Sequence, residues 1–451
     1  MPSNIISFLK NLDPRHRSEI FKRSFRNASF STIEFIITPL LYIVSTPFLV
    51  HQLGINHYGI WMLANSVAGF VGVLNFGLSE ATVKYVSMYR GREDEDGVAK
   101  CILSTFTLYL FLSILMMIVC WVSAPFLVKR IFKISKEDFT VAILAIKFAG
   151  IVLGLRTLGS VFLSALRGFE RYDIICKINI GTLSLMTLSS VTLVFIGYGL
   201  EIVLFGVIIV SCLSLLLSII VVKRLVPRLN IGLTFDRSSL KETFSFGLFS
   251  WVQGIAATIF AQADRLIIGA ILGTSAITYY SVSMNIAQQV HAAVSASMGF
   301  IFPLVSSERE KENGINLKRL FNRTFLFGLF ISLSIMLPLL ICGKFFLTIW
   351  MGANFAENSY MVLYILLCAY FLLGLNVLPH YFLLGFGEVK FVSMTNIAGG
   401  LLSLVGMVLL IPLFGMNGAA ISRILYAPLT LLNFVRVNKY LNIYNRKKKR
   451  K

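Results

Sequence analysis

Two stretches 219 residues apart decide the architecture: Leu53-Gly54-Ile55-Asn56-His57-Tyr58-Gly59-Ile60-Trp61 and Leu272-Gly273-Thr274-Ser275-Ala276-Ile277-Thr278-Tyr279-Tyr280. Each follows one long apolar run and opens another. Three further correspondences keep the same order. Tyr85-Val86-Ser87 matches Val305-Ser306-Ser307 at an offset of 220, Gly168 matches Gly387 at 219, and Gly199 matches Gly415 at 216. A single match of this kind carries little weight, but four in sequence order mark an internal repeat.

The apolar runs say what the repeat contains. A spanning helix needs about 20 mostly apolar residues. Twelve runs meet that requirement: 28–50, 59–79, 101–123, 139–166, 174–196, 202–222, 242–268, 277–305, 324–342, 359–384, 391–412 and 419–435. Six fall in each repeat. An even number of spans restores the chain's orientation, so the halves are parallel and related by an axis along the membrane normal. The expected fold class is all-α: a polytopic membrane protein of about 12 transmembrane helices in two six-helix lobes, with the substrate site between them. The expected limits are a cytoplasmic segment 1–27, lobes 28–225 and 226–440, and a basic tail 441–451.

Composition agrees. Of 451 residues, 57% are apolar and only 14% charged, against roughly 25% charged in a soluble domain. Mean hydropathy is +0.80. That excludes a water-soluble fold and a disordered chain alike. The net charge of +20 would point to nucleic acid in a soluble protein. Here it follows the positive-inside rule, so no nucleic-acid partner is expected. With the N-terminus inside, and Lys177 at the inner end of its span counted with the adjoining loop, 32 of the 41 Lys and Arg lie in inward segments, 5 in outward loops and 4 within spans. Both termini are therefore expected in the cytoplasm. The outward loop Lys129–Lys136 is the exception. The run Arg446–Lys451 reads as a positive anchor, with anionic-lipid binding as its alternative. The six cysteines form no CxxC pair, so neither metal nor disulfide chemistry is expected.

The four basic residues within spans are the informative charges, because a charge there faces a cavity or a partner. Lys147 and Arg156 are nine residues apart, about 2.5 turns, and point to opposite faces of a straight helix. Arg156, nearer the middle, is the better cavity residue, whereas Lys147 either joins it or snorkels outward. Asp264, Arg265 and Arg423 have no local charged partner, and neither does Glu34 in the first span. Asp264 either neutralises an Arg on a neighbouring helix or binds an ion. A basic interior suits an anion, and Arg matches phosphate through paired donors. A transporter of cationic drugs would show the reverse balance. Arg156, Arg265, Arg423 and Lys147 are thus assigned to an anionic, phosphate-bearing substrate, and Asp264 and Glu34 are the acidic candidates for binding an ion. Gln253, Gln262, Gln288 and His291 are assigned to a polar lumen or, alternatively, to helix–helix hydrogen bonds. Pro39 and Pro47 make the first span a candidate gate helix.

Three segments carry a family resemblance. Pro47-Phe48-Leu49-Val50-His51-Gln52-Leu53-Gly54 through Tyr58-Gly59-Ile60-Trp61 resembles the first-loop pattern of bacterial oligosaccharide flippases. Asn75-Phe76-Gly77-Leu78-Ser79 with Tyr85-Val86 resembles the end of their second span. Ile411-Pro412-Leu413-Phe414-Gly415-Met416-Asn417-Gly418-Ala419-Ala420 resembles their penultimate loop. The likeness runs from about residue 25 to 440. It is to the Wzx-type O-antigen flippases, the polysaccharide transporters of the multidrug/oligosaccharidyl-lipid/polysaccharide exporter superfamily.

The resemblance implies a bacterial inner-membrane protein with a V-shaped cationic cavity. Its substrate would be an undecaprenyl-diphosphate-linked oligosaccharide repeat unit, turned to the periplasmic leaflet for O-antigen, capsule or exopolysaccharide synthesis. It implies coupling to an H+ or Na+ gradient, no bound cofactor and no enzyme activity. A polysaccharide polymerase and chain-length machinery are the implied protein partners. Two alternatives compete with this reading. One is a multidrug or cation antiporter of the same superfamily, which the basic interior opposes. The other is a membrane enzyme acting on lipid-linked glycans, which would carry a sizeable outer loop with catalytic Arg or His. The outer connections around 124–138 and 343–358 hold no His.

Overall fold

A computed structural model describes residues 14–229, 232, 251, 255, 258–309 and 317–450. Among the described residues there are helices and no strands. Tertiary contacts divide the chain into two compact units, Met1–Gln262 and Ala263–Lys451.

The first unit contains α1 (Pro14–Leu53), α2 (Ile55–Val71), α3 (Leu78–Gly91), α4 (Glu95–Phe126), α5 (Phe139–Gly168), α6 (Tyr172–Phe195) and α7 (Leu200–Leu225). Helix α4 shows why these segments start where they do. The Asp94 carboxylate accepts from the Gly97 backbone N–H at 2.8 Å, and Glu95 and Asp96 complement the N-terminal end of the helix dipole. Helix α5 is the centre of the unit and packs against α2, α3, α4 and α7. Its core includes Leu78, Val86, Ile102, Tyr109, Met116 and Phe162, all nearly fully buried.

The second unit has helical residues 263–271, then α8 (Thr274–Met298), α9 (Ile301–Arg309), α10 (Leu317–Met351), α11 (Ala353–Gly385), α12 (Val389–Ile424) and α13 (Tyr426–Arg450). Helix α11 occupies the central position and contacts α8, α9, α10, α12 and α13. Val294, Met298, Ile301, Val305, Phe321 and Phe382 form its core.

The repeat is visible inside the two units. Gly54 (φ 83°) and Gly273 (φ 97°) each cap the N-terminus of the helix they precede, α2 and α8. Both need the left-handed region that glycine enters without steric cost. A Cβ on Gly168 would lie 2.7 Å from Val86 Cγ1, and one on Gly385 would lie 2.7 Å from Val305 Cγ1. Each central helix thus lets a valine press against its own backbone. This pairing corrects the register: Gly168 corresponds to Gly385, not Gly387. Gly387 (φ 82°) instead corresponds to Glu170 (φ 56°), and Gly415 (φ 57°) to Gly197 (φ 97°) rather than Gly199.

Helix α12 is a hairpin rather than one rod. Gly415 breaks it, with φ 57° and ψ −135°. Gly399 approaches the Tyr426 carbonyl, and a Cβ on Gly406 would meet Leu425, so the chain folds back on itself. The expected span 391–412 is the first arm, and 419–435 runs from the second arm into α13.

Nine helices among the described residues are long and apolar enough to cross a membrane. The α12 hairpin and α13 count there as one. Helix α8, the expected span 277–305, has the length but too many Ser, Gln and Asn residues. The expected span 242–268 lies largely outside the described residues. The expected span 59–79 is not continuous, because a 3-10 turn (Gly72–Asn75) and left-handed Phe76 and Gly77 separate α2 from α3. Large apolar side chains are turned outward, among them Phe195 (80% exposed), Ile341 (77%) and Val122 (74%). Lipid, not water, solvates such a surface. The chain is an all-α, multi-pass membrane protein.

Candidate functional site

In the first unit Glu34 and Arg156 line the same cavity, of about 370 Å³, bounded by α1, α5, α6 and α7. Glu34 lies on α1, N-terminal to Pro39 and Pro47, which remove two backbone donors from the helix interior. α1 packs along α6, where the Asn179 side-chain N–H donates to Glu34 Oε1 at 2.9 Å. Arg156 comes from the middle of α5. Its guanidinium donates an N–H to Met186 Sδ at 3.5 Å, a weak acceptor. Among the described residues it has no carboxylate partner. Asn179, Thr182, Ser211, Ser214 and Ser218 supply the rest of the polar wall. Sequence reasoning missed all five. The available signal was their spacing, three on α6 and three and four on α7, which puts each set on one helix face.

Lys147 does not line this cavity. Its ammonium lies over the Trp121 ring on α4, 5.2 Å from the centroid, a cation–π contact. The nine-residue separation from Arg156 places the two on different sides of α5.

In the second unit Asp264 and Arg423 are joined. The Arg423 Nε–H donates to Asp264 Oδ2 at 2.7 Å, a second guanidinium N–H reaches the same oxygen, and the Tyr280 hydroxyl donates to it at 2.9 Å. Asp264 is 1% exposed and Tyr280 is fully buried. This cluster satisfies itself, as a buried ion pair must. Arg265, the next residue, points elsewhere. It donates to Ser281 Oγ at 3.0 Å and approaches Asn285 Oδ1 at 3.5 Å. It remains half-buried and, among the described residues, has no carboxylate partner. The adjacent pair therefore divides: Asp264 serves Arg423, and Arg265 keeps an uncompensated charge on a polar neighbourhood.

The polar residues expected in a lumen are dispersed. Gln288 is exposed on α8, and His291 is half-buried on the same helix, its Cα beside Gly374 of α11. Gln262 lies tight against Gly69 of α2. Gln253 lies outside the described residues. A second polar chain was not foreseen: Asn433 donates to Asn376 Oδ1 (3.0 Å), and Thr395 donates to Asn433 Oδ1 (3.2 Å), all three buried. Glu80 of α3 meets Arg167 of α5 at 3.9 Å. Among the described residues no group of three or more His, Cys, Asp or Glu is placed to hold a metal ion.

The comparisons with known proteins agree with this architecture. Residues 49–360, more than half of the chain, match the family model described as polysaccharide biosynthesis protein. A protein of Shigella flexneri named "Putative O-antigen transporter" is 24% identical over 405 residues, 88% of this chain and 93% of that one. Among solved structures, an inward-facing multidrug resistance MATE family transporter of the MOP superfamily superposes with a TM-score of 0.74 at 14% identity, covering 90% of this chain and 95% of that one. The lipid II flippase MurJ, in an inward closed conformation, superposes with a TM-score of 0.71 at 14% identity, covering 92% and 90%. At such identities the structural likenesses establish the fold alone, while the match across more than half of the sequence establishes kinship: the chain belongs to the polysaccharide biosynthesis protein family of multi-pass membrane proteins.

Proposed function

We propose that this protein is a Wzx-type flippase that moves lipid-linked oligosaccharides from the cytoplasmic to the periplasmic leaflet of the bacterial inner membrane. The observation that carries the reading is Arg156. It is a guanidinium with no carboxylate partner among the described residues, set in a polar cavity within a membrane unit. The residue is exposed, so its guanidinium is open to a bound anion, which lowers the cost of holding a charge within a membrane span. A diphosphate fits best, since its oxygens accept paired N–H donors. Arg265 is the corresponding group in the second unit. Arg423 is excluded from this role by its commitment to Asp264, and Lys147 lies over Trp121. The family, the relative named as an O-antigen transporter and the fold shared with a lipid II flippase all support the reading.

Translocation needs no bond made or broken, so the protein acts as a transporter rather than an enzyme. Glu34 is the group for ion coupling. It faces the cavity that holds Arg156, and a proton or Na+ there changes the balance of charge that an incoming diphosphate meets. Asp264, bound by Arg423, does not take part. The cycle is alternating access driven by an H+ or Na+ gradient, with both termini in the cytoplasm. A polysaccharide polymerase receives the repeat unit on the far side.

The test is transport by the full chain in proteoliposomes loaded with a polyprenyl-diphosphate oligosaccharide whose glycan is enzymatically accessible only from outside. Wild type exposes the internal pool, Arg156→Ala does not, and Arg156→Lys regains part of the rate. Equal exposure by wild type and Arg156→Ala would refute the assignment.

A further inference from the structure

The positive-inside rule leaves one group of charges unexplained. Lys129, Arg130, Lys133 and Lys136 stand at the outward end of α4 in the topology with both termini in the cytoplasm. Cations held on that side work against the rule. All four are exposed, and none has an ion-pair partner among the described residues. Their backbone is held in place. α4 passes into one π-helical turn, Leu127–Ile131, which buried Val128 and Phe132 anchor in the first unit. The second unit repeats this frame without the charge. At the offset of 219, buried Leu347 and Met351 take the places of Val128 and Phe132. The corresponding stretch 348–355 holds no Lys or Arg. The nearby Lys344 is paired with Glu357 at 2.7 Å. Packing therefore does not require the four cations.

The surface beside them says what they meet. Phe111, Ile118, Trp121, Val122 and Phe126 are large apolar side chains exposed on α4. Their spacing places them on one helix face. That face runs about 22 Å along the axis, most of the hydrocarbon thickness of a bilayer. Lys129 continues it, and Ile131, also exposed, stands among the cations. A water-soluble acidic partner would leave the apolar face uncovered. A lipid covers it with acyl chains and brings a phosphate to the Lys and Arg. We infer that the outward end of α4 is a docking site for an anionic phospholipid of the outer leaflet. Its chains lie along 111–126, and its phosphate meets Lys129, Arg130 and Lys133. Bound there, the phospholipid anchors the first unit in that leaflet. The inference rests on the topology and not on the flippase reading.

The test places the full chain in phosphatidylcholine nanodiscs that carry a minor fraction of chain-brominated phosphatidylglycerol or chain-brominated phosphatidylcholine. Bromine quenches a tryptophan only in near contact. Trp121 is one of four tryptophans, and the difference from Trp121→Phe isolates its signal. In wild type, phosphatidylglycerol is expected to quench Trp121 at about one fifth of the fraction needed with phosphatidylcholine, the value of one cation at an anionic lipid. Lys129→Gln with Arg130→Gln and Lys133→Gln should abolish the difference, and Lys344→Gln should leave it unchanged. Equal quenching by the two lipids in wild type, or an undiminished difference in the triple variant, overturns the site. If unbrominated polyprenyl diphosphate relieves the quenching and unbrominated phosphatidylglycerol does not, the cations hold a lipid diphosphate and the phospholipid assignment is wrong. The side is read separately. Lys136→Cys, in a chain whose six own cysteines are replaced by alanine, should react with membrane-impermeant maleimide added outside intact spheroplasts. Reaction only after lysis makes 129–136 an ordinary inward loop and overturns the outer-leaflet assignment.

Discussion

Removing either partner of the Asp264–Arg423 pair should destabilise the second unit severely, while removing both together should not. The carboxylate is 1% exposed and the arginine side chain 12%, so water does little to screen what is left behind. Deleting one member of a buried pair costs about 3–5 kcal/mol, because the survivor is an uncompensated buried charge. Asp264→Ala also strips the Tyr280 hydroxyl of its acceptor, adding about 1 kcal/mol. For a unit of this size each kcal/mol moves the melting temperature by about 2–4 °C, so loss of Arg423 should lower it by about 6–20 °C and Asp264→Ala by about 8–24 °C. The double variant Asp264→Leu with Arg423→Met replaces the pair by apolar groups of similar volume and should recover most of the loss. Thermal melting of the detergent-solubilised chain, followed by monodisperse recovery on size exclusion, reads all three. Single variants within about 2 °C of wild type, or a double variant worse than either single, would refute the assignment of Arg423 to structure rather than substrate.

Other outcomes follow from the same geometry. Arg156→Ala should leave the melting temperature close to wild type and lower the rate of transport by roughly 10- to 150-fold, the value of one or two charged hydrogen bonds to phosphate; a melting scan beside a flipping assay separates the two effects. Glu34→Gln keeps an acceptor for Asn179 and removes the charge, so transport in proteoliposomes should stop responding to an imposed proton or sodium gradient while substrate binding persists. Gly385→Ala and Gly168→Ala should each cost about 1–3 kcal/mol, because the new methyl lands 2.7 Å from Val305 and Val86; comparable melting losses for the pair would also verify the corrected repeat register. Asn433→Leu should cost about 1–3 kcal/mol by stranding the buried Asn376 carbonyl oxygen, whereas Thr395 keeps the Val392 carbonyl; it is read as a melting shift without loss of repeat-unit affinity.

The repeat was legible because glycines at turns and caps are conspicuous and apolar runs are long. Its fine register was not. Matching glycine to glycine paired Gly168 with Gly387, whereas the left-handed partner of Gly387 is Glu170, a residue whose type does not announce that conformation. The close contact of Gly168 and Gly385 with valine depends on helix packing, which no single stretch encodes. Span length suffered for the same reason. Hydropathy alone runs through Gly72–Gly77, where the backbone turns.

Buried charges were individually conspicuous in an apolar chain, but their partners were not. Asp264 and Arg423 are 159 positions apart, so local spacing could say only that each needed something. Both alternatives considered for Asp264 were physically sound, and tertiary placement chose between them. Lys147 was separable from Arg156 by helical phase alone. The Ser211, Ser214 and Ser218 face was readable in principle and was masked by the abundance of small hydroxyl residues in membrane helices, most of which only bond their own backbone, as Thr46 does to Tyr42.

The central claim is that Arg156 meets the diphosphate of a lipid-linked glycan during its passage between leaflets. The most direct measurement deletes the gene in its host and determines which leaflet holds lipid-linked repeat units, with wild-type, Arg156→Ala and Arg156→Lys alleles supplied in turn. The account predicts build-up on the cytoplasmic side in the deletion, relief by wild type, partial relief by the Lys allele and none by the Ala allele. Repeat units that reach the periplasmic leaflet normally in the deletion and remain unpolymerised there would contradict it.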